Sequence, residues 1–243
     1  MSITTASILG IIHAFTEFLP LSGSAHMAII AKLFNINIAG DNRLIFDAFL
    51  HFGTAIAAII IMWQELIDLS FQLQGAFNSG PMAETPMHRL PLARQTLLTC
   101  VTLAPLGFVL IFWDSLNKLY TKPVFLGIML FLNGCILITA EKLYEGDKDA
   151  RNMSFIDALI IGICQLVSAL PGISRIGVTY TATIACGGKK GFAYQFVIIM
   201  YIPVAVTMGI VNIIKAASLG MEFNAWPAYL TAMAAALAEG FVA

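Results

Sequence analysis

The sequence predicts an all-α polytopic membrane protein, folded as an inverted repeat whose two re-entrant helix hairpins meet at a central polar site. Three observations predict it. Of 243 residues, 59% are hydrophobic and only 11% are charged, against about 25% charged in an ordinary soluble domain. Two short apolar runs, one in each half of the chain, break at a proline and pass into a turn of small and hydroxyl-bearing residues. Three apolar spans separate those runs, an odd number, so the second copy enters the bilayer from the opposite side. Broken apolar segments at matching places in two halves mark a site at the repeat interface. The whole of 1–243 reads as one integral domain, with a first repeat at about 3–113 and a second at about 155–243.

Taken in order, residues 3–19 are apolar and stop at Pro20. Proline has no N–H to donate and biases Leu19 away from helical angles. A helix needs about 20 residues to cross a bilayer, so this run barely reaches. A re-entrant hairpin returning along 26–38 accounts for it as well as a full span does. Met1 to Ser7 hold no basic residue, so the run is not expected to be a cleaved leader. Residues 44–64 form the next span, with Asp47 and His51 one helical turn apart. A long polar loop is expected over 65–90, with Pro81, Pro86, His88 and Arg89. Residues 91–113 form a span adjusted at Pro105, and a short loop with Asp114, Asn117 and Lys118 follows. Pro123 opens the span 123–140, and a charge-dense loop covers 141–151.

The second half repeats this order. Residues 155–170 are apolar and end at Pro171, and Gly10-x-x-His13 aligns with Gly162-x-x-Gln165. A long span at 192–214 contains Pro203, and a last apolar run fills 225–243. Trp63, Trp113 and Trp226, close to span ends, read as interfacial anchors. Asp157 reads as an ordinary interfacial residue at a span entrance. Cys100, Cys135, Cys164 and Cys186 lie in apolar runs without metal spacing and read as small buried hydrophobes. The loops at 65–95 and 141–154 hold Arg89, Arg94, Lys142, Lys148 and Arg151, against Lys118 and Lys122 in the loop opposite, which puts the first pair of loops in the cytoplasm. A net charge of −1 gives no sign of a nucleic-acid partner.

Chemistry concentrates at the two breaks. The stretch from His13 to His26 holds Glu17 one turn after His13, then Pro20, Ser22, Gly23 and Ser24. The second break runs Pro171-Gly172-Ile173-Ser174-Arg175, with Thr179 beyond. An ionised group at the bilayer centre costs roughly 2.5–3.5 kcal/mol even on insertion scales, so Glu17, Asp47 and Arg175 call for partners or a function. The bland alternative is a buried Glu17–Arg175 ion pair that locks the repeats together. Asp47 and His51 divide evenly between a helix-bridging pair and a role near the site. A guanidinium in a turn of small residues suits a phosphate, because forked donors and helix-start amides both point at the anion. Glu17 and His26 are candidate general acid–base groups, and Ser24 is a candidate nucleophile. Ser22, Gly172, Ser174, Thr179 and Gln165 are the remaining candidates for holding substrate.

These residues carry a resemblance. Thr16-Glu17-Phe18-Leu19-Pro20 with Ser22 to His26, Phe46-Asp47 with His51-x-Gly53-Thr54, and Pro171-Gly172-Ile173-Ser174-Arg175 with Gly177 and Thr179 resemble the undecaprenyl-diphosphate phosphatase, or bacitracin-resistance, family. The likeness runs from about residue 6 to about residue 240. It implies a multi-pass enzyme of the bacterial plasma membrane that removes the terminal phosphate of undecaprenyl diphosphate at the outer face, recycling the cell-wall lipid carrier. The polyprenyl diphosphate and the membrane are the implied partners, with a homodimer as a candidate assembly. A divalent cation, magnesium or calcium, is the implied cofactor. By motif position Glu17 falls to catalysis or metal binding, His26 to the family's histidine, and Ser174 and Arg175 to the diphosphate-holding motif.

The chain departs from the family pattern at three places. His13 stands where the motif begins with Glu or Gln, Gly23 replaces the second serine, and Ile176 follows the arginine in place of serine. His13 remains a candidate metal ligand or phosphate donor, although losing a carboxylate and a hydroxyl predicts weaker metal binding. The family's last apolar helix has no counterpart before Ala243. A lipid-phosphate transporter, or a homologue that only binds, would use the same pocket, because broken helices at mid-membrane also serve transport.

Overall fold

Ser2 starts the first helix, its side chain accepting from the Thr5 N–H at 3.1 Å. The computed structural model describes residues 2–36, 43–77, 91–112, 116, 118–221 and 225–242, and no strand occurs among them. Helix α1 (Ile3–Phe18) stops one residue short of the Leu19–Pro20 pair, and α2 (Gly23–Leu33) begins three residues after Pro20. Next come α3 (Arg43–Ile61) and α4 (Trp63–Phe77). Helix α5 (Pro91–Leu103) tightens into a 3-10 turn at Ala104–Leu106, where Pro105 cannot donate, before α6 (Gly107–Ile111). A 3-10 turn at Lys118–Thr121 leads into α7 (Pro123–Lys142), with proline at its first position.

The second half mirrors the first in outline. Helix α8 (Phe155–Gln165) carries a 3-10 turn, Leu166–Ala169, before the break at Pro171, and α9 (Arg175–Ala185) follows. Helix α10 (Lys190–Ser218) is 29 residues long with Pro203 inside, and α11 (Trp226–Glu239) is the last.

Small residues set the packing. A Cβ on Gly10 of α1 would run into the Ala232 carbonyl of α11, and one on Gly162 of α8 would run into the Thr102 carbonyl of α5. Each glycine of the aligned pair therefore presses its short helix against a helix from the other half of the chain. Such close backbone approach replaces hydrophobic driving force inside a bilayer, where lipid is as apolar as leucine. Three apolar clusters result. Leu9, Phe46, Leu50 and Tyr229 join α1, α3 and α11. Ala58, Ile176, Val197 and Tyr201 join α3, α9 and α10. Leu98, Ile161 and Phe196 join α5, α8 and α10.

Helix α7 stands apart. Its buried residues are Leu126, Asn133 and Ala140, seven apart, which is one narrow line along the helix. The opposite face shows Val124 (76% exposed) and Phe131 (72%). An apolar outer surface of this extent is what lipid, not water, covers. Helices α3, α7 and α10 are long and apolar enough to cross a bilayer, and the protein is an all-helical membrane protein.

Three sequence expectations are corrected. Residues 65–77, within α4, are helix where a polar loop is expected: Glu65 lies in the first turn, where its charge suits the helix dipole, and Leu66 packs against the cluster around Tyr201. The rest of that stretch, with Pro81, Pro86, His88 and Arg89, lies outside the described residues, as do Trp113, Asp114 and Asn117. Asp157 is no ordinary interfacial residue. It completes a capping box with Ser154 and pairs with Lys148 at 2.8 Å, so it fixes the start of α8. The cysteines are not core residues: Cys100 and Cys135 are exposed, and Cys164 and Cys186 half-buried.

Candidate functional site

The first break is a strained turn. Leu21 donates its N–H to the Thr16 carbonyl at 3.2 Å, and Ser22 then adopts left-handed angles, φ 71° and ψ 86°. A non-glycine residue in that region stores strain and persists only where its surroundings hold it. The turn delivers Gly23 against the side chains of α1. A Cβ at Gly23 would lie 2.7 Å from Glu17 Oε2 and 3.3 Å from His13 Nδ1. The space a larger residue would fill is thus taken by the Glu17 carboxylate. His26 folds back, its Nδ1 donating to the Ser22 carbonyl at 3.0 Å. With Nδ1 committed as donor, Nε2 of the neutral ring keeps its lone pair.

The second break is held more conventionally. Gly172 takes φ 108°, and a Cβ there would lie 2.5 Å from that of Met129 on α7. Ser174 caps α9 by accepting from the Gly177 N–H at 3.2 Å. Arg175 is the first residue of that helix, and its buried Nε has no hydrogen-bond partner among the described residues. No direct Glu17–Arg175 ion pair forms, since the described residues hold just two ion pairs, Arg43–Asp47 and Lys148–Asp157. The locking-pair alternative therefore fails.

The two turns touch. A Cβ on Gly177 would sit 3.3 Å from Cβ of Pro20. Asn133 of α7 joins them: its Nδ2 donates to the Pro20 carbonyl at 2.8 Å, and its Oδ1 accepts from the Ser174 N–H at 2.8 Å.

A cavity of about 510 Å³ opens beside the first turn, lined in part by His13, Ser24, Lys32, Arg43, Asp47, His51, Tyr120 and Asn212. The His13 and His51 rings meet edge to face at 5.3 Å, and His13 Nε2, His51 Nδ1 and Asn212 Oδ1 are buried without partners among the described residues. Tyr120 Oη donates to Ser24 Oγ at 3.2 Å, and the Arg43 guanidinium lies 5.4 Å from the Tyr120 ring centre. A second, apolar cleft of about 190 Å³ runs between α5–α6 and α10, with Arg175 in its wall, and shares Met208 with the first. Two imidazoles, a lysine and the Asp47-paired Arg43 around the polar cavity, with Arg175 in the wall of the adjoining cleft, suit an anionic headgroup.

The structure brings His13, Glu17, Ser22, Ser24 and His26 together in one turn and Gly172, Ser174 and Arg175 in the other, with the turns in contact. Of these, His13 and Ser24 line the first cavity and Arg175 the second, whereas Glu17, Ser22, His26, Gly172 and Ser174 line neither. Gln165 and Thr179 also line neither cavity. Both are buried, in α8 and α9, with side-chain atoms that have no partner among the described residues. Sequence reasoning missed Asn133, Tyr120, Arg43 and Asn212. Asn133 carried a signal, as an amide in the middle of an otherwise apolar span.

The chain matches the bacitracin resistance protein BacA family over residues 6–243. It belongs to that family. Curated relatives named undecaprenyl-diphosphatase include that of Halothermothrix orenii, 31% identical over 244 residues, covering 100% of this chain and 87% of the relative. That of Methanosphaera stadtmanae is 30% identical over 224 residues, covering 90% and 80%. That of Pelotomaculum thermopropionicum is 31% identical over 242 residues, covering 100% and 85%. Membership fits the geometry: the two motif stretches that define the resemblance are the two turns in contact.

Proposed function

We propose that this protein hydrolyses the terminal phosphate of undecaprenyl diphosphate, recycling the lipid carrier of cell-wall synthesis at the bacterial plasma membrane. The observation that carries the reading is the contact between the two turns, one ending at Arg175, whose buried Nε has no partner among the described residues, and the other packing Glu17 and His13 against Gly23, with His13 in the wall of a polar cavity. Relatives across nearly the whole chain are named for this activity, which favours hydrolysis over transport or binding alone.

In this reading the architecture is an inverted repeat whose α1–α2 and α8–α9 units are re-entrant hairpins, each short helix paired with a helix of the other half. Arg175, the α9 amides and Ser174 hold the diphosphate, with Ser22 and Gly172 shaping the two turns around it. Charge on the terminal phosphoryl group spreads over its oxygens during transfer, so fixed donors lower the barrier. His26 Nε2 takes a proton from water, whose oxygen bonds to the terminal phosphorus as the bond to the bridging oxygen breaks. Phosphate and the lipid monophosphate leave. Ser24, already accepting from Tyr120, keeps its own proton for a phosphate oxygen. Gln165 and Thr179 support the second turn from behind rather than touching substrate.

No three His, Cys, Asp or Glu side chains converge among the described residues. A cation that arrives with the diphosphate would need few protein ligands, because Mg²⁺ commonly takes one or two carboxylates and fills its shell with phosphate and water oxygens. Glu17, with His13 beside it, would meet such an ion, which would neutralise diphosphate charge. The cavity lies at the Lys118–Thr121 end of α7, away from the loop with Lys142, Lys148 and Arg151 that pairs with Lys189. Basic residues favour the cytoplasm, so the site opens outward.

The test is phosphate release from undecaprenyl diphosphate by purified protein with Mg²⁺ or Ca²⁺. Release that disappears on chelation and in Arg175→Ala supports the reading. Release no greater than that of Arg175→Ala would discard it.

A further inference from the structure

Helix α7 lies between the two turns and belongs to neither. It buries one line of side chains, and Asn133, 2% exposed, is the polar member of that line. Its neighbours along the line meet the second break: a Cβ on Gly172 would lie 3.2 Å from the Leu126 carbonyl, and one on Gly177 would lie 3.0 Å from Leu137. An amide is the one common short side chain that donates at one end and accepts at the other, and Asn133 uses both ends. It donates to the carbonyl of Pro20, the residue that closes α1 and so fixes the Glu17 end of the first turn. It accepts from the N–H of Ser174, the residue that caps α9 directly before Arg175. Both bonds are 2.8 Å long, and they join places 113 and 41 residues away. Among the described residues neither backbone group has another partner, so without Asn133 a buried donor and a part-buried acceptor would stand unpaired beside the site.

We infer that Asn133 is a positioning residue: a two-ended clamp that sets the separation of the Glu17-bearing and Arg175-bearing turns. It touches no substrate. The bonds themselves do not depend on the proposed reaction, whereas the kinetic consequence rests on the diphosphatase reading.

The experiment uses full-length protein in lipid nanodiscs with two variants. Asn133→Leu removes both bonds, and Asn133→Asp keeps an acceptor for Ser174 while removing the donor to Pro20. Amide hydrogen exchange is followed at Ser174, with α10 residues 196–205 as the internal reference. Phosphate release from undecaprenyl diphosphate is measured on the same preparations. The clamp predicts faster exchange at Ser174 in Asn133→Leu, near-normal exchange in Asn133→Asp, and an unchanged α10 in both. It predicts kcat lower by about tenfold or more in both variants, with KM within about threefold, because misplacement of reacting groups weakens the transition state rather than uniform binding. Unchanged Ser174 exchange in Asn133→Leu would overturn the clamp. Altered exchange with unaltered kcat in both variants would overturn its positioning role, as would loss of protection throughout α10. If the wild type releases no phosphate while the exchange pattern is as predicted, the clamp stands and the diphosphatase reading falls.

Discussion

The two breaks share a plan and differ in how they are held. Each ends a short apolar helix at a proline, passes through one positive-φ residue and starts a second helix. The first places that angle on Ser22, a residue with a side chain, and packs Gly23 directly against a carboxylate. The second places it on Gly172 and caps its helix with Ser174 in the ordinary way. In the proposed reading, strain and close-packed ionisable groups make the first turn the reactive one. A relaxed, capped helix start with one cation makes the second the turn that holds an anion. The difference teaches a division of labour that a symmetric repeat does not impose by itself.

Substitutions can break that division, and the largest effect is expected at the first turn. His26→Gln removes the Nε2 lone pair and should lower kcat by about 10²–10⁴-fold with KM little changed, read by phosphate release. Arg175→Ala should lower kcat by about 10²–10³-fold and also raise KM, because a holding residue acts on ground state and transition state alike. If His26→Gln raised KM as Arg175→Ala does, or if Arg175→Ala left KM unchanged, the division would be lost. Gly23→Ser sharpens the picture further. Its Cβ needs the place of Glu17 Oε2, so the carboxylate must swing away, and activity should fall by about 10²-fold. The smallest effect concerns scaffold rather than chemistry. Gly10→Ala and Gly162→Ala each push a helix off its partner's carbonyl, and each should destabilise by about 1–3 kcal/mol, as read by thermal unfolding in detergent.

Much of this was legible in the sequence, for physical reasons that particular residues show. Pro20 and Pro171 cannot continue a helix, so both breaks were visible as punctuation, and the Gly10 and Gly162 alignment proved to be two matching close contacts. The spans opening near residues 43, 123 and 190 followed from apolar length alone, whereas the run from residue 91 is a 13-residue helix that passes into a 3-10 turn at Pro105. What was not legible depends on partners remote in sequence. Helix α4 hides in a polar stretch because Leu66 packs against the core while Trp63, Ile67 and Phe71 are exposed, so its pattern over the described side chains is mostly that of a surface. Asp157 looked unremarked until Lys148 and Ser154 were placed around it. Gln165 is aligned with His13 in sequence, yet His13 lines the polar cavity and Gln165 lines neither, because matching sequence spacing does not carry the surroundings of each side chain with it. Asn133 needed both turns in place before its two bonds had meaning.

The central claim is that the two turns act on one diphosphate. A double-mutant cycle on kcat/KM for phosphate release, with Glu17→Gln, Arg175→Lys and the pair together, tests it most directly. Groups that serve one transition state are coupled, so the account predicts that the double variant loses much less than the product of the two single losses. Losses that simply multiply would place Glu17 and Arg175 in separate sites and contradict the account.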